Sequence, residues 1–208
     1  MDDKEIIDEF NKIYYNRATH TWREVSWLGV KVQNNPCDLW IVQEIICDKK
    51  PDFIIECGTL FAGGALYLCS ICELIDHGLV ITIDRRFHTS IHKRMTTLTG
   101  LTTAGAILDE VRARVGDGSV MVLLDSDHRK DNVLKELKIY SDIVTLGQYL
   151  VVQDTHINGH PVLEGFGDGP CEAVAEFLAT DERFKVDRWQ ERLMLTFNPM
   201  GYLRKIKV

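Results

Sequence analysis

The feature that most constrains the fold is an apolar run that ends in an acid and opens into a glycine-rich turn, within residues 53–65. Glu56 ends the run, Gly58 allows a tight turn, and Gly63 and Gly64 come just before the next apolar segment. That segment is longer than an ordinary strand, so it predicts a buried helix. A strand, a glycine loop and a helix start in this order can bind an anionic group of a ligand, although any βα turn of an α/β protein would give the same pattern.

Four more apolar runs follow, and segments with apolar residues at helical spacing separate them. This alternation predicts an α/β fold with a doubly wound, mostly parallel, seven-stranded Rossmann-like sheet. A C-terminal antiparallel hairpin is expected to close the sheet, and an N-terminal helical cap to precede it. The further strands are expected at 78–84, 96–100, 119–128 and 148–154, the hairpin at 184–189 with 193–198, and the helices at 5–16, 39–48, 65–75, 104–115, 132–140 and 172–178.

Acidic side chains stand at the ends of four predicted strands: Glu56, Asp84, Asp125 and Asp154. Ligands of an open parallel sheet bind outside the carboxyl ends of its strands, so we expect these acids to converge on one crevice. Asp84 lies 20 residues past Gly64, the spacing at which doubly wound folds place the acid that binds the ribose of a nucleoside. The alternative role for such acids is to cap the helices that follow them.

The glycine spacing separates two nucleoside-containing cofactors. The dinucleotide fingerprint G-x-G-x-x-G, begun at Gly58, requires glycine where Leu60 stands. An acid at the strand end, one glycine and a later glycine pair suit the S-adenosylmethionine pocket of class I methyltransferases better. A nicotinamide-dependent oxidoreductase or hydroxylase-type enzyme remains the alternative, although the chain shows no obvious constellation of Ser, Tyr and Lys.

Length and charge set further bounds. With 208 residues and 45% hydrophobic content, the chain predicts a single compact domain, in which residues 1–50 form a helical cap and substrate-side loop and residues 51–208 the cofactor-binding part. The net charge of −7 carries no block of like charges, so neither nucleic acid nor a membrane is an expected partner. No apolar run reaches the ~18 residues of a membrane span, and a cytoplasmic protein with reduced core cysteines is expected.

Two loops are candidates for contact with a substrate. The segment 16–30 is aromatic and polar without a clear period, which predicts a loop that either lines a pocket or packs on the surface. The glycine-rich loop 155–170 follows the fifth predicted strand and could form a lid. Its His156 and His160 are four residues apart, but a turn-forming pair between them argues against helical metal-ligand spacing. Asp38 is predicted to cap the helix that follows it.

Short motifs carry a resemblance to a known family. The motifs are Trp27-Leu-Gly29, Pro36-Cys-Asp-Leu-Trp40, Glu56-Cys-Gly-Thr59, Gly63-Gly-Ala65, Leu124-Asp-Ser-Asp-His128, Gln153-Asp-Thr-His-Ile-Asn-Gly-His-Pro161 and Phe197-Asn-Pro-Met-Gly-Tyr-Leu-Arg204. Over nearly the whole chain from about Trp22 onward, they resemble the cephalosporin hydroxylase and rhamnosyl O-methyltransferase family. Despite the first of these names, the family is similar to S-adenosylmethionine-dependent methyltransferases with a catechol-methyltransferase-like metal site.

The resemblance implies an S-adenosylmethionine-dependent O-methyltransferase that acts on a hydroxyl of a small molecule, of natural-product or sugar type. A divalent metal, most simply Mg²⁺, is implied to assist it, and we expect a homo-oligomer. A non-catalytic S-adenosylmethionine-binding partner protein is a further alternative. The implied cofactor contacts are Glu56, Gly58, Thr59, Gly63, Gly64, Asp84 and Asp125.

The implied metal ligands are Asp125, Gln153 and Asp154, and the implied catalytic residues are Asp125 and His128. Gln153 departs from the family pattern, because it offers a neutral carbonyl oxygen where a carboxylate is usual, so weaker Mg²⁺ binding is expected. It could reach the metal only if the strand ends at or before it, since neighbouring strand residues point to opposite faces. His128 lies where catechol-type enzymes carry a lysine base, and an imidazole with a pKa near ~6.5 is a credible base for a hydroxyl.

Overall fold

The computed structural model describes residues 2–17 and 21–208. Helices and strands alternate along nearly all of this chain. The helices are α1 (Asp3–Asn16), α2 (Pro36–Lys49), α3 (Gly63–Leu74), α4 (Gly105–Val115), α5 (Lys130–Tyr140) and α6 (Pro170–Thr180). The strands are β1 (Ser26–Trp27), β2 (Val30–Lys31), β3 (Phe53–Cys57), β4 (Leu79–Asp84), β5 (Met95–Thr99), β6 (Val120–Leu124), β7 (Tyr149–Val152), β8 (Phe184–Val186) and β9 (Tyr202–Lys205).

Seven strands form one sheet in the order β5-β4-β3-β6-β7-β9-β8. The five strands from β5 to β7 are parallel, whereas β9 runs antiparallel to β7 and β8 antiparallel to β9. From β3 the chain winds outward to β5, returns to β6 on the other side of β3 and continues to β7. The predicted doubly wound α/β fold with a C-terminal antiparallel hairpin is confirmed, and the winding direction reverses between β3 and β6, where such folds bind their ligands.

The sheet is covered on both faces, which explains why its strands are continuous apolar runs. One face packs against α4, α5 and α6, with Val111, Leu137 and Phe177 among the buried residues. The other face packs against α2 and α3, where Ile46 and Leu68 are buried. Because α3 is apolar nearly all round, it lies in the interior, as the sequence predicts for a run of its length.

The second strand of the C-terminal hairpin is not where the sequence places it. The prediction of residues 193–198 is wrong, because β8 pairs with Tyr202–Lys205. Within the predicted segment, the Thr196 hydroxyl and the Phe197 N–H both donate to the carboxylate of Asp38. These polar groups therefore bind a side chain of α2 instead of a neighbouring strand.

The same contact corrects the predicted role of Asp38. The N-cap of α2 is Asn35, whose Oδ1 accepts from the Cys37 N–H at 3.0 Å, and Pro36 takes the first helical position. Asp38 is buried inside the first turn and also accepts from the Tyr202 hydroxyl at 2.7 Å. Its function is to connect α2 with the C-terminal segment.

The segment predicted as a loop at 16–30 contains more regular structure than expected. A short 3-10 helix (Thr21–Glu24) is followed by the two-stranded hairpin of β1 and β2. The hairpin packs tightly on α3: a Cβ atom added to Gly63 would lie 1.9 Å from the Lys31 carbonyl oxygen. Residues 18–20 of the predicted loop lie outside the described residues.

Two predictions from composition can be compared with the structure. All six cysteines are free, and Cys57, Cys69 and Cys72 are buried among apolar side chains, as expected for reduced core residues. Among residues 2–17 and 21–208, no helix has the length and apolar character that a membrane crossing requires.

Candidate functional site

A cavity of about 540 Å³ opens at the carboxyl edge of the parallel strands. The structure brings all four strand-end acids to this cavity, together with His128 and most of the glycine loop. The predicted site residues that line it are Glu56, Gly58, Thr59, Gly64, Asp84, Asp125, His128 and Asp154. Two predicted residues lie elsewhere: Gly63 is buried against β2, and Gln153 lines a smaller neighbouring cavity.

The glycines of the loop after β3 are required by internal packing. Gly58 has φ +106°, and a Cβ atom there would lie 2.0 Å from the Asp125 carbonyl oxygen. A Cβ atom on Gly64 would lie 2.5 Å from Oε1 of Glu56. A side chain at position 58 would push the ends of β3 and β6 apart, and one at position 64 would displace the Glu56 carboxyl, so the two glycines shape the cavity floor.

Asp84, at the end of β4, organises the loop opposite it. Its Oδ2 accepts from the N–H groups of Thr59 and Leu60 at 3.1 Å each, and its Oδ1 accepts from the Arg86 N–H at 2.9 Å. Partial burial favours a raised pKa, but these three donors outweigh it and lower the pKa of Asp84. The carboxylate is therefore charged at neutral pH, and its side chain keeps about 20% of its surface exposed.

Glu56 is the most deeply buried acid of the cavity wall. It is 5% exposed, and its Oε2 accepts from the Thr82 hydroxyl at 2.5 Å. Burial raises its pKa to about 8, an effect to which the charges of Asp125 and Asp84 add. A pKa of about 8 favours the protonated form of Glu56 at neutral pH.

Asp125, His128 and Asp154 form a compact group at the ends of β6 and β7. Their nearest ligand atoms all lie within 4.8 Å of one another. The imidazole Nε2 of His128 is 3.1 Å from Oδ2 of Asp154 and 3.9 Å from Oδ1 of Asp125. The two carboxylates thus converge on one point, as adjacent parallel strands allow.

The charges of this group are strongly coupled. Burial and the neighbouring Asp154 raise the pKa of Asp125 to about 7. Burial would lower the pKa of His128, but the two carboxylates raise it to about 9. The His128 charge outweighs the burial of Asp154 and lowers the pKa of that acid. In this arrangement the imidazolium is therefore the positive charge that keeps the carboxylates together.

The backbone bends where β7 meets the cavity. The strand ends at Val152, and Asp154 has φ +55° in the left-handed region. The Asp154 N–H donates a hydrogen bond to Oδ1 of Asn198 at 3.0 Å, and this contact fixes the bend. Gln153 points away from the large cavity, and its Oε1 accepts from Nδ2 of Asn34 at 2.6 Å.

The ligand atoms of Asp125, His128 and Asp154 fit a divalent cation. Two carboxylates that share a buried site repel each other unless a positive charge separates them, and carboxylate oxygens are the ligands that Mg²⁺ prefers. Burial is the main reason for the raised pKa of Asp125, and the charge of Asp154 adds to it. Asp125 and Asp154 are therefore the residues able to hold the cation, while the Gln153 carbonyl oxygen is taken up by Asn34.

An aromatic cluster forms the wall beside Asp154. Tyr15 and Trp22 line the cavity and stack with ring centroids 5.2 Å apart, and behind them the rings of His156 and Phe197 stack at 4.2 Å. His156 is fully buried, and burial lowers its pKa to about 4, so the ring is neutral. Of the two predictions for the segment 16–30, pocket lining is therefore the one that holds for Trp22.

The loop after β7 covers part of the cavity. Ile157, Leu163 and Phe166 line the opening, and the last two are more than 40% exposed. The loop is tied to the start of α6, since His160 Nε2 lies 2.9 Å from Oε1 of Glu172. This arrangement is consistent with the predicted role of the loop 155–170 as a lid.

Several residues of the site were not predicted from the sequence. Asn34 and Asn198 lie in loops, and their partners Gln153 and Asp154 lie 119 and 44 residues away along the chain. Ser126 and Thr102 also line the cavity. Gln153 is itself a predicted metal ligand. Ser126 and Asn198 fall inside motifs that carry the family resemblance, whereas Asn34 and Thr102 fall in none.

Comparison with known proteins gives consistent results. The family model described as Rhamnosyl O-methyltransferase/CmcI matches residues 19–206. The Rhamnosyl O-methyltransferase of Mycobacterium leprae (strain TN) is 32% identical over 209 residues, which cover 95% of this chain and 90% of that protein. The Rhamnosyl O-methyltransferase of Mycobacterium tuberculosis is 31% identical over 210 residues, which cover 95% and 84% of the two chains.

Solved structures of CmcI share the fold. An apo structure superposes with a TM-score of 0.69 at 16% identity, over 89% of this chain and 78% of that one. A form described as Mg-SAM gives 0.68 at 16% identity over the same shares of the two chains. A form described as SAH gives 0.67 at 16% identity, over 89% and 84%. At such identities these structures show a common architecture.

Proposed function

This chain belongs to the Rhamnosyl O-methyltransferase/CmcI family and is an S-adenosylmethionine-dependent O-methyltransferase, and we propose that it methylates a hydroxyl of a sugar-type or natural-product small molecule with the help of a divalent metal. The observation that carries the proposal is one cavity with two chemically different ends. Asp84 stands at the β4 end, and the group of Asp125, His128 and Asp154 stands at the β6 and β7 end. The nucleoside of the cofactor can therefore bind at the first end and the acceptor hydroxyl at the second.

The β3 and β4 side suits the cofactor. Three backbone N–H groups occupy three of the roughly four lone pairs of the Asp84 carboxylate, so one lone pair, on Oδ1, stays available to a ribose hydroxyl. Glu56 is the acid nearest the buried floor, and S-adenosylmethionine carries a sulfonium and an ammonium charge. A cationic ligand beside Glu56 would favour its ionised form, so we assign Glu56 to the amino-acid end of the cofactor.

The β6 and β7 side suits the reaction. The acceptor oxygen attacks the methyl carbon in line, the C–S bond breaks with its electron pair returning to sulfur, and the products are a methyl ether and S-adenosylhomocysteine. His128 in its neutral form takes the hydroxyl proton at Nε2. When bound at Asp125 and Asp154, a divalent cation supplies positive charge that makes a nearby hydroxyl more acidic and offsets the carboxylate charges that raise the pKa of His128.

The aromatic wall suits a ring-shaped acceptor. Tyr15 and Trp22 present flat apolar surfaces beside Asp154, and Phe166 stands at the opening. Such surfaces pack well against the C–H face of a sugar or against an aglycone ring. The two mycobacterial relatives act on a rhamnosyl group, as their names state, which supports a deoxysugar glycoside as the first acceptor to test.

A methyl-transfer assay tests the proposal. The purified chain is incubated with S-adenosylmethionine labelled with deuterium in the methyl group, Mg²⁺ and a panel of acceptors: rhamnosides, other deoxysugar glycosides and catechol. Mass spectrometry should find the labelled methyl group on an acceptor hydroxyl with wild type and not with Asp125→Asn. Equal labelling by both proteins, or labelling of nitrogen or sulfur acceptors alone, would overturn the assignment.

A further inference from the structure

Glu136 is a buried carboxyl that the proposed reaction does not use. It lies on α5 and is 1% exposed. Its Oε1 accepts from the hydroxyl of Ser126 at 2.6 Å and also from the hydroxyl of Thr102. Its Oε2 is buried and has no hydrogen-bond partner among the described residues. Burying a carboxyl is costly, so its contacts with two cavity-lining hydroxyls call for a physical reason.

The contacts determine the direction of both hydroxyl protons. A hydroxyl has one proton to donate and two lone pairs that accept. Ser126 donates its proton to Glu136 and accepts from Nδ2 of Asn132 at 3.1 Å, so one lone pair remains. Thr102 likewise donates to Glu136. Ser126 and Thr102 both line the cavity, where each can only accept a hydrogen bond.

The position of these two hydroxyls indicates which part of the ligand they meet. Thr102 follows β5, which lies beyond β4 on the side away from β7. Ser126 follows β6, nearer the middle of the sheet, but its hydroxyl shares Oε1 of Glu136 with that of Thr102, so the two lie side by side. If Asp84 at the end of β4 binds the ribose, the methyl group extends toward Asp154 at the end of β7. The nucleobase then lies on the opposite side of the ribose, against the wall that Thr102 and Ser126 build with Asn132.

We propose that Glu136 makes this wall select a 6-aminopurine over a 6-oxopurine, because it orients the Ser126 and Thr102 hydroxyls as acceptors. The amino group of adenine donates hydrogen bonds and matches them. The oxo group of hypoxanthine only accepts, so it would face lone pairs and stay unsatisfied. The inference rests on the proposed function, since it requires the nucleoside of S-adenosylmethionine in this cavity. Glu136 acts through the two hydroxyls and is a positioning residue.

Calorimetric titration with two ligands tests the inference. S-adenosylhomocysteine and its inosine analogue, S-inosylhomocysteine, differ at the purine 6-position and at the protonation of N1. Wild type should bind the adenine form ~10- to 100-fold more tightly, the range that one unsatisfied buried polar group produces. Glu136→Met removes the acceptor and frees both hydroxyls to donate, so the ratio should fall to within ~3-fold.

Two further variants separate positioning from a general loss of structure. Glu136→Gln keeps a carbonyl oxygen at the Oε1 position and should retain most of the wild-type ratio. Glu110→Met removes an exposed carboxyl of α4 that pairs with Arg114, and it should leave the ratio unchanged. If Glu136→Met does not fold, as thermal unfolding would show, Ser126→Ala and Thr102→Val remove the two acceptors one at a time and should each lower the ratio.

The outcomes are distinguishable. The role of Glu136 would be overturned by a wild-type affinity ratio near one, by an unchanged ratio in Glu136→Met, or by a ratio that falls as far in Glu136→Gln as in Glu136→Met. In each of these cases, binding of S-adenosylhomocysteine would still support the proposed function. Failure of wild type to bind either ligand would overturn the proposed function, and this inference with it.

Discussion

Asn34 donates a hydrogen bond from Nδ2 to Oε1 of Gln153 across 2.6 Å, and this contact turns the Gln153 side chain away from the large cavity. The strand ends before Gln153, as a metal ligand at that position would require, yet the carbonyl oxygen is already engaged. The carboxylates of Asp125 and Asp154 and the imidazole of His128 are then the three groups able to hold a cation. We therefore expect Mg²⁺ affinity to depend on how strongly Asn34 competes with the cation for Oε1 of Gln153.

Gln153→Glu should tighten Mg²⁺ binding. The carboxylate adds a negative charge beside Asp125 and Asp154, while one of its oxygens can still accept from Asn34, so folding should be preserved. Calorimetric titration of Mg²⁺ into the apo protein measures the change. Gln43→Glu, on α2, is the matched control for the same charge change, and Asp125→Asn should abolish binding. No gain in affinity for Gln153→Glu over that control would contradict a metal at this corner.

His128→Ala should slow methyl transfer by ~10²- to 10⁴-fold, the usual contribution of a general base, while S-adenosylhomocysteine still binds. The imidazole faces both carboxylates, whereas the proposed cofactor contacts Glu56 and Asp84 lie on the β3 and β4 side. Turnover of the acceptor identified by the labelling assay gives the rate, and calorimetry gives the affinity. His77→Gln, near Asp52 at the opposite edge of the sheet, is the control. Unchanged turnover in His128→Ala would show that another group takes the proton.

The sequence predicted where the large cavity lies, because the end of each strand can be recognised from the residues around it. Apolar runs that end in Glu56, Asp84, Asp125 and Asp154 suffice to bring these acids to one edge of a parallel sheet. The same logic misplaced the second hairpin strand, since 193–198 has a strand-like pattern. A buried side chain of α2 takes up its polar groups, and such a contact has no local signature.

The contacts that tune the site could not be predicted for a related reason. Asn198 fixes the bend at Asp154, and Glu136 orients Ser126 from the neighbouring helix. Each pair depends on how loops and helices pack after the sheet has formed. Spacing along one chain indicates which face or edge a residue occupies, but it does not indicate which asparagine on another loop will reach it.

Apo-protein stability should fall as the pH rises from about 5 to about 8. Glu56 has a pKa of about 8 in the folded protein, against 4.5 ordinarily. Between these values the folded state holds a proton that the unfolded chain releases, so unfolding becomes more favourable with rising pH. The raised pKa values of Asp125 and His128 act in the same direction, while the lowered pKa of His156 opposes them only below about 6.5. Thermal unfolding across this range measures the slope.

Glu56→Gln should make that slope shallower without abolishing it, because the other raised groups remain. Glu110→Gln removes an exposed carboxyl of α4 and serves as the control. Equal slopes for wild type and Glu56→Gln would show that Glu56 is already ionised in the folded apo protein.

Asp38→Ala should destabilise the fold by ~3 kcal/mol or more, since it leaves the Phe197 N–H and the hydroxyls of Thr196 and Tyr202 without their acceptor. Asp38→Asn should cost less, because its carbonyl oxygen can still accept and the hydroxyls can reorient. Urea unfolding gives both values. If the alanine variant unfolds at the urea concentration of wild type, the contact between α2 and the C-terminal segment has no structural importance.

We propose that the large cavity binds S-adenosylmethionine, with Asp84 at the ribose. Calorimetric titration of wild type and Asp84→Asn with S-adenosylhomocysteine and with NADH tests it most directly. Wild type should bind S-adenosylhomocysteine and show no binding of NADH. Asp84→Asn should bind S-adenosylhomocysteine ~1 to 3 kcal/mol more weakly, through loss of a charged acceptor for the ribose hydroxyls. Binding of NADH without S-adenosylhomocysteine, or wild-type affinity in Asp84→Asn, would contradict this account.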